Sequence, residues 1–217
     1  FSLKCFQKVK LFIRGGYSFL ETLYLILFIF SFFYAFKKLL KILLKIMNLL
    51  RKGIAEAIGT FVLVFFACGV AAFTGGDLVA TALTFGLVIV AMAYSIGRIS
   101  GCHINPAVSL GCLIDKRMTV KGFLVYVLAQ IIGGLVGGVA FFGITKMGNI
   151  TLEGNACNTA LGYSGDLSKI TVGGYIGSIL LEIILTLVFV YVILNVTIEN
   201  SGAGKKAGLI IGFTLTL

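Results

Sequence analysis

One Asn-Pro pair in an otherwise apolar chain constrains the fold more than any other feature. The chain holds a single proline, Pro106, and Asn105 precedes it. Asparagine is a favoured N-cap, and proline suits the first helical position, where its missing N–H has no partner in any case. A helix from Pro106 to Ile114 rises only about 13 Å, less than half of the roughly 30 Å of hydrocarbon in a bilayer. The pair therefore predicts a half-span that starts near the membrane midplane.

The length of the apolar runs predicts a helical protein that crosses the membrane several times. Hydrophobic residues make up 59% of the chain and charged residues only 12%. A helix needs about 20 apolar residues to cross a bilayer. Runs of this kind predict membrane helices over residues 54–73, 78–96, 123–144 and 175–198. Residues 207–217 rise only about 16 Å, so we expect the chain to be a fragment that stops inside its fifth span.

Positive charges in the connecting segments predict which side of the membrane each one faces. Basic residues follow the half-span and precede the last apolar run, at Lys116, Arg117, Lys121, Lys205 and Lys206. Cytoplasmic loops carry an excess of Lys and Arg, so these segments and the basic cluster at 37–52 are predicted to be cytoplasmic. That assignment is consistent only if residues 97–114 enter the membrane and return to the same side. The segment is therefore predicted to be re-entrant, and the helices after residue 47 start from the cytoplasm.

Residues 1–46 differ from the rest of the chain in charge and are predicted to form a separate leader. Ten of the 18 Lys and Arg residues lie within residues 1–52, with only one of the eight acidic residues. Residues 17–36 are apolar enough to span a membrane, and residues 37–50 form a basic amphipathic stretch that suits a membrane surface. A non-native or upstream-translated leader is the alternative, because Met47 resembles a natural start. Since the excess charge belongs to the leader, we predict no nucleic-acid partner.

The backbone around the half-span is predicted to supply both hydrogen-bond polarities. Irregular backbone at membrane depth is tolerated only where it is buried in protein or lines a watery cavity. The residues before Asn105 are expected to be extended and to present carbonyl oxygens to a pore. They are Gly101, Cys102, His103 and Ile104. The half-helix N-terminus and the Asn105 amide supply donors. A row of acceptors that leads to a donor orients a passing water molecule. The positive end of the helix raises the energy of a cation or an excess proton there.

A family resemblance is carried by residues 100–108, SGCHINPAV. This segment resembles the first signature of the aquaporin, or major intrinsic protein, family, nearest to its bacterial aquaporin Z type. The resemblance covers residues 47–217 and identifies them as an incomplete channel domain. It implies an all-α membrane protein with an inverted-repeat bundle of six helices and two re-entrant half-helices, the first beginning at Asn105, Pro106 and Ala107. It also implies a homotetramer, in the plasma membrane of a bacterial cell, that conducts water passively and excludes ions and protons.

An internal repeat supports the resemblance. Glu56 and Thr60 in the first predicted helix recur as Glu182 and Thr186, 126 residues later, in similarly apolar sequence. An intramembrane carboxylate is costly, so a pair at equivalent places indicates an inverted repeat with a role for each. The resemblance assigns to Glu56 and Glu182 the task of holding the re-entrant loops. It assigns to Phe85 the aromatic position of the selectivity filter.

Several other functions remain as alternatives. A facilitator for glycerol or another small neutral solute fits the same motif, because the preference for water rests on Phe85 and overall similarity. A non-conducting structural membrane protein is the second alternative. An enzyme is disfavoured, because Cys102 and His103 are the only neighbouring nucleophile and base and no third group orients them. The five cysteines lack a repeated spacing, so neither a metal nor a cofactor is expected. The predicted partners are water or a small neutral solute and the lipid bilayer.

Overall fold

The computed structural model describes residues 19–75, 77–150 and 171–217. Its helices follow one another as α1 Phe19–Val62, a π-helical turn Leu63–Cys68, α2 Gly69–Phe73, α3 Leu78–Ser100, α4 Pro106–Ile114, α5 Val120–Met147, α6 Val172–Val196, a 3-10 turn Gly204–Lys206 and α7 Ala207–Thr216. These described residues contain no strand. The prediction of an all-α protein is therefore confirmed.

Four helical segments are long and apolar enough to cross a membrane. They are Ile26–Phe73, Leu78–Ser100, Val120–Met147 and Val172–Val196. The helices α4 and α7, with 9 and 10 residues, rise only about 13 and 15 Å. The half-span predicted from the Asn-Pro pair has the same first and last residue as α4. The described chain is thus that of a multi-pass membrane protein with a half-span between α3 and α5.

The long helices extend beyond the apolar runs that predicted them. The predicted end of α3 at Ile96 is wrong, because the helix continues to Ser100 and ends at Gly101, which has the left-handed φ of 94°. Both α5 and α6 begin three residues earlier than predicted. The side chains of Thr119 and Thr171 cap them by accepting a backbone N–H from the first turn. Hydropathy missed these first turns because they contain lysine or glycine before the apolar run, Lys121 and Gly122 in α5 and Gly173 and Gly174 in α6.

The start of the first helix also differs from the prediction. We expected a helix from Ile54, but α1 is helical from Phe19 and has no break between residues 46 and 47. No proline or glycine occurs between Phe19 and Lys52, and neither helix breaker is therefore available to end it. The predicted end at Phe73 and the turn that follows it are confirmed.

Contacts divide the chain into two compact units, Phe1–Asn48 and Leu49–Leu217. The first contributes only the N-terminal part of α1 to the described residues. The interpretation of residues 1–46 as a separate leader stays a prediction. Four basic residues of that leader, Lys4, Lys8, Lys10 and Arg14, lie outside the described residues, as does most of the predicted polar loop at 146–174.

Glycines bring α5 into backbone contact with α1 in the second unit. A Cβ atom on Gly133 would overlap the backbone carbonyl of Ala57, and one on Gly137 would lie 2.8 Å from the carbonyl oxygen of Phe61. Gly138 faces open space instead. The spacing of Gly133 and Gly137 thus produces the close helix contact that small residues four apart predict in lipid.

A second glycine contact joins α7 to α3. A Cβ atom on Gly86 would lie 2.7 Å from the carbonyl oxygen of Gly212, and one on Gly212 would lie 2.6 Å from the carbonyl oxygen of Gly86. The Tyr94 hydroxyl also donates to the carbonyl oxygen of Lys205 at 2.7 Å. The helix α7 therefore packs closely along α3.

Replacing Gly133 by alanine should destabilise the helix bundle, because the added methyl meets backbone atoms that cannot rotate away. We expect a loss of about 1–3 kcal/mol. Gly138→Ala is the matched control on the same helix and should be neutral or slightly stabilising, since alanine favours a helix over glycine by about 1 kcal/mol. Thermal unfolding of the chain in detergent, followed by circular dichroism, compares them. Equal unfolding midpoints would contradict the proposed importance of the contact.

Candidate functional site

The half-helix α4 begins as its sequence dictates. Asn105 is the N-cap in an extended conformation, with φ −150°, and its Oδ1 accepts a hydrogen bond from the Ala107 N–H at 2.8 Å. Pro106 occupies the first turn. The buried Val108 packs against Phe189 and Ile193 of α6, which fixes one side of the half-helix. The positive end of its dipole consequently lies at Asn105.

Three of the four residues before Asn105 are not extended, contrary to the sequence prediction. Gly101, Cys102 and Ile104 have positive φ values of 94°, 54° and 39°. Such values suit glycine, but they cost a non-glycine residue about 1–3 kcal/mol, and a β-branched residue such as Ile104 rarely adopts them. The surrounding structure must supply contacts that hold this strained loop.

The buried carboxylate of Glu56 supplies those contacts. Its Oε1 accepts the His103 N–H at 3.0 Å, and its Oε2 accepts the Ile104 N–H at 2.7 Å. Gln130 on α5 donates from Nε2 to the same Oε2 at 2.8 Å. The side chain of Glu56 is fully buried, so all three hydrogen bonds form away from bulk solvent. This carboxylate therefore fastens the re-entrant loop to α1 and α5.

The same hydrogen bonds fix the direction of two carbonyl groups. The described chain has no cis peptide, and in a trans peptide the C=O points opposite to the N–H. Because the N–H groups of His103 and Ile104 point at Glu56, the carbonyls of Cys102 and His103 point away from it. Among the described residues no donor bonds to either carbonyl. Two acceptors are therefore left available on the opposite side of the loop.

Asn105 provides a donor next to these acceptors. Its Oδ1 is already engaged by Ala107, so the side-chain amide is oriented with its NH₂ group directed elsewhere. No described residue accepts from that NH₂ group. The predicted combination of backbone acceptors and an asparagine donor is thus present within one short segment.

A network of polar side chains behind the loop was not predicted. Ser109 Oγ lies 3.0 Å from His103 Nδ1 and accepts from Gln130 Nε2 at 3.1 Å. The hydroxyl of Tyr126 donates to the carbonyl oxygen of Ser100 at 2.5 Å. A signal for one member existed in the sequence, because Gln130 is an uncharged polar residue in the middle of an apolar span, and such residues inside a membrane are expensive unless they are bonded.

A cavity of about 490 Å³ lies on one side of this loop. Its wall includes Gly101, Cys102 and His103, together with apolar side chains of α3, α4 and α6. Two cationic side chains, Lys52 and Arg117, also line it. Arg117 is paired with Asp115, whereas no ion pair of Lys52 occurs among the described residues. The cavity wall therefore combines loop residues with two cationic side chains.

The guanidinium of Arg117 ties the segment after α4 to the end of α6. It donates to Asp115 Oδ2 at 2.6 Å, to Thr197 Oγ1 at 2.8 Å and to the carbonyl oxygen of Leu194 at 2.8 Å. The last carbonyls of a helix have no partner within it, and a cation there also opposes the helix dipole. The sequence identified Arg117 only as a positive charge that predicts which side of the membrane its loop faces. In the structure its guanidinium also caps the C-terminal end of α6.

Two predicted site residues lie apart from this constellation. Phe85 is half-buried on α3 and does not line the cavity, which is also true of Ile104, Asn105, Pro106 and Ala107. Glu182 is exposed on α6, beside Ser178 and Thr186 in a shallow groove. Among the described residues it has no hydrogen-bond partner. The structure thus brings Glu56 together with the predicted loop from Gly101 to Ala107, but not with these two residues.

Comparisons with known proteins give consistent results. The sequence profile of the family described as Major intrinsic protein matches residues 43–217. The chain is 41% identical over 178 residues to Aquaporin Z of Brucella melitensis, covering 78% of this chain and 75% of that protein. It is 39% identical over 169 residues to Glycerol uptake facilitator protein-like 6 of Lactiplantibacillus plantarum, covering 76% and 72% respectively.

A solved structure agrees with the fold. The X-ray structure of the aquaglyceroporin from Plasmodium falciparum matches with a TM-score of 0.60 and 28% sequence identity, covering 77% of this chain and 70% of that one. The similarity in sequence and the similarity in structure therefore extend over about the same share of the chain.

The contacts of Glu56 predict a difference between the two repeated glutamates. Glu56→Gln preserves the shape of the side chain but places an NH₂ group against N–H donors, and we expect a loss of stability of about 2–3 kcal/mol. Glu182→Gln removes the same charge at an exposed position without a described partner and should leave the stability of this chain nearly unchanged. Thermal unfolding in detergent measures both. An unfolding midpoint for Glu56→Gln no lower than that for Glu182→Gln would show that Glu56 does not hold the loop.

Proposed function

The chain belongs to the major intrinsic protein family, and on that premise we propose that it forms a passive transmembrane channel for water that excludes ions and protons. The family, the membrane helices and the half-span establish an aquaporin-type channel protein. The identity of the solute, the roles of individual residues and the assembly belong to the proposal.

The orientation of the two carbonyls beside Asn105 carries this proposal. Water both donates and accepts hydrogen bonds, so it can replace its lost solvent partners on a path where acceptors lead to a donor. The carbonyls of Cys102 and His103 provide the acceptors, and the free NH₂ group of Asn105 provides the donor. We propose that Gly101, Ile104, Pro106 and Ala107 complete this part of the pore wall.

Exclusion of ions follows from charge. The N-terminus of α4 carries the positive end of the helix dipole, and the cavity wall adds Lys52 and Arg117, of which Arg117 is paired with Asp115. A cation or an excess proton loses hydration energy on entering and meets positive potential near the narrowest part. A neutral water molecule loses less hydration energy and is repelled less by the positive potential. These features support conduction of neutral solutes over ions.

The preference for water over glycerol rests on Phe85. An aromatic side chain in a narrow filter reduces the space available to a three-carbon solute, and we propose from the family resemblance that Phe85 has this role. Glycerol conduction is the second candidate, because one relative is named a glycerol uptake facilitator-like protein and a structural neighbour is an aquaglyceroporin. A non-conducting structural role is the remaining alternative.

The inverted repeat extends the proposal to Glu182. We propose that its carboxylate holds a second re-entrant loop as Glu56 holds the first. The assembly is proposed to be a homotetramer in the plasma membrane, with the helices after residue 47 starting from the cytoplasm. The positions of Lys116, Lys121 and Lys205 in the connecting segments support that orientation.

Proteoliposomes that contain the protein should shrink several-fold faster than protein-free liposomes in a stopped-flow osmotic experiment. Asn105→Leu should abolish the difference, because leucine has a similar volume but no donor. Glycerol uptake by the same vesicles should stay near the lipid background. Water permeability equal to that of empty liposomes would favour a structural role, and glycerol uptake well above background would favour a facilitator.

Cys102 provides an independent test of the pore wall, since it lines the cavity and its carbonyl belongs to the proposed path. A bound mercurial would narrow that path, so mercuric chloride should reduce water permeability in the wild-type protein, and Cys102→Ala should remove most of the inhibition. Cys68→Ala, at the end of the π-helical turn that follows α1, is the matched control and should remain sensitive. Equal inhibition of the wild type and Cys102→Ala would exclude Cys102 from the conducting wall.

A further inference from the structure

The described part of the first unit is a helix with two different halves. Residues 26–36 are apolar around the whole circumference, and every one of them is exposed within the chain. Residues 37–48 are also exposed, but they combine lysines with leucine and isoleucine. A helix that is apolar on all sides suits hydrocarbon, whereas one that is half cationic and half apolar suits a membrane surface.

The lysines of the second half lie on one face of α1. Consecutive helical residues are separated by about 100°, so Lys37, Lys38, Lys41 and Lys45 fall within an arc of about 100°. We call these four residues the lysine stripe. No acidic residue occurs between positions 22 and 55. The charge of the stripe is therefore not neutralised by a neighbouring carboxylate on its own helix.

The face opposite the lysine stripe is apolar. It consists of Leu39, Ile42, Leu43 and Ile46, whose exposed fractions are 55%, 48%, 49% and 50%. A soluble anionic partner would neutralise the lysines but leave these side chains in water. The boundary of a bilayer supplies both environments, because phosphate groups and hydrocarbon lie within a few ångströms of each other there.

We propose that the lysine stripe binds the phosphate groups of anionic phospholipids while the opposite face rests on the acyl chains. Basic clusters next to a membrane helix are attracted to anionic lipid, and each lysine near the surface strengthens the attraction. The long lysine side chains let the ammonium groups reach the phosphates while their methylene groups cover apolar surface. This inference is independent of the proposed channel function.

Native mass spectrometry of the whole chain in detergent tests the proposal. The probes are phosphatidylglycerol and phosphatidylcholine with identical acyl chains. Gln replaces all four residues of the lysine stripe in one variant, and it replaces Lys116, Lys121, Lys205 and Lys206 in the matched control. Both variants lose the same total charge. We expect the stripe variant to bind phosphatidylglycerol at least about tenfold more weakly, the control to remain close to the wild type, and phosphatidylcholine binding to be weak throughout.

Three results would overturn the proposal. They are equal loss of phosphatidylglycerol binding in the two Gln variants, equal affinity of the wild type for the two lipids, and displacement of phosphatidylglycerol by an equimolar anionic oligonucleotide. If the stripe variant does not fold, two other measurements test the proposal. They are phosphatidylglycerol binding by a variant with Arg at the same four positions, and the salt dependence of phosphatidylglycerol binding by the wild type. Retained binding by the Arg variant and weakening at roughly tenfold higher salt support the proposal, and binding that salt does not change contradicts it.

Discussion

The hydrogen bonds of one buried carboxylate, Glu56, determine the geometry on which the rest of the site depends. The loop before α4 contains two non-glycine residues with positive φ, a conformation that a free chain rarely keeps. Two consecutive N–H groups of this loop donate to Glu56, and Gln130 donates to it as well. Charge-assisted hydrogen bonds in a low-dielectric surrounding are strong enough to offset such strain. Their direction also turns the carbonyls of Cys102 and His103 away from Glu56.

The close packing of helices makes this arrangement possible. Glu56 lies on α1 and Gln130 on α5, and both must reach the same loop. Gly133 and Gly137 allow the backbones of these helices to touch, which places the two side chains within hydrogen-bond distance. In lipid, where apolar surface alone gives little preference for one helix pair over another, such contacts determine which helices are neighbours. The polar site and the glycine contact therefore depend on each other.

The half-span combines a positive helix end with backbone acceptors, and the segment from Gly101 to Ala107 contains no Asp, Glu, Lys or Arg. The charged side chains lie around it, with Lys52 and Arg117 in the cavity wall and Glu56 hydrogen-bonded to the loop backbone. If this segment lines a water path as we propose, a charged residue at its centre would bind a counter-ion or hold water too tightly for rapid passage. Fixed dipoles of the backbone and of the Asn105 amide can orient a water molecule without binding it as tightly as a charge would. This division of roles explains why so few polar side chains are needed in the apolar body.

The sequence alone determined the spans, the half-helix and its boundaries, because hydrophobic length, the Asn-Pro cap and the short reach of nine residues are local properties. It also identified Glu56 and the acceptor segment from Gly101 to Ile104. Only the tertiary structure revealed the positive φ values, the hydrogen bonds of Gln130, Ser109 and Tyr126, and the capping contact of Arg117. Apart from the contact between His103 and Ser109, which are six residues apart, these partners are separated by 21 to 80 residues along the chain. No local pattern specifies which of several polar side chains will meet when apolar helices pack.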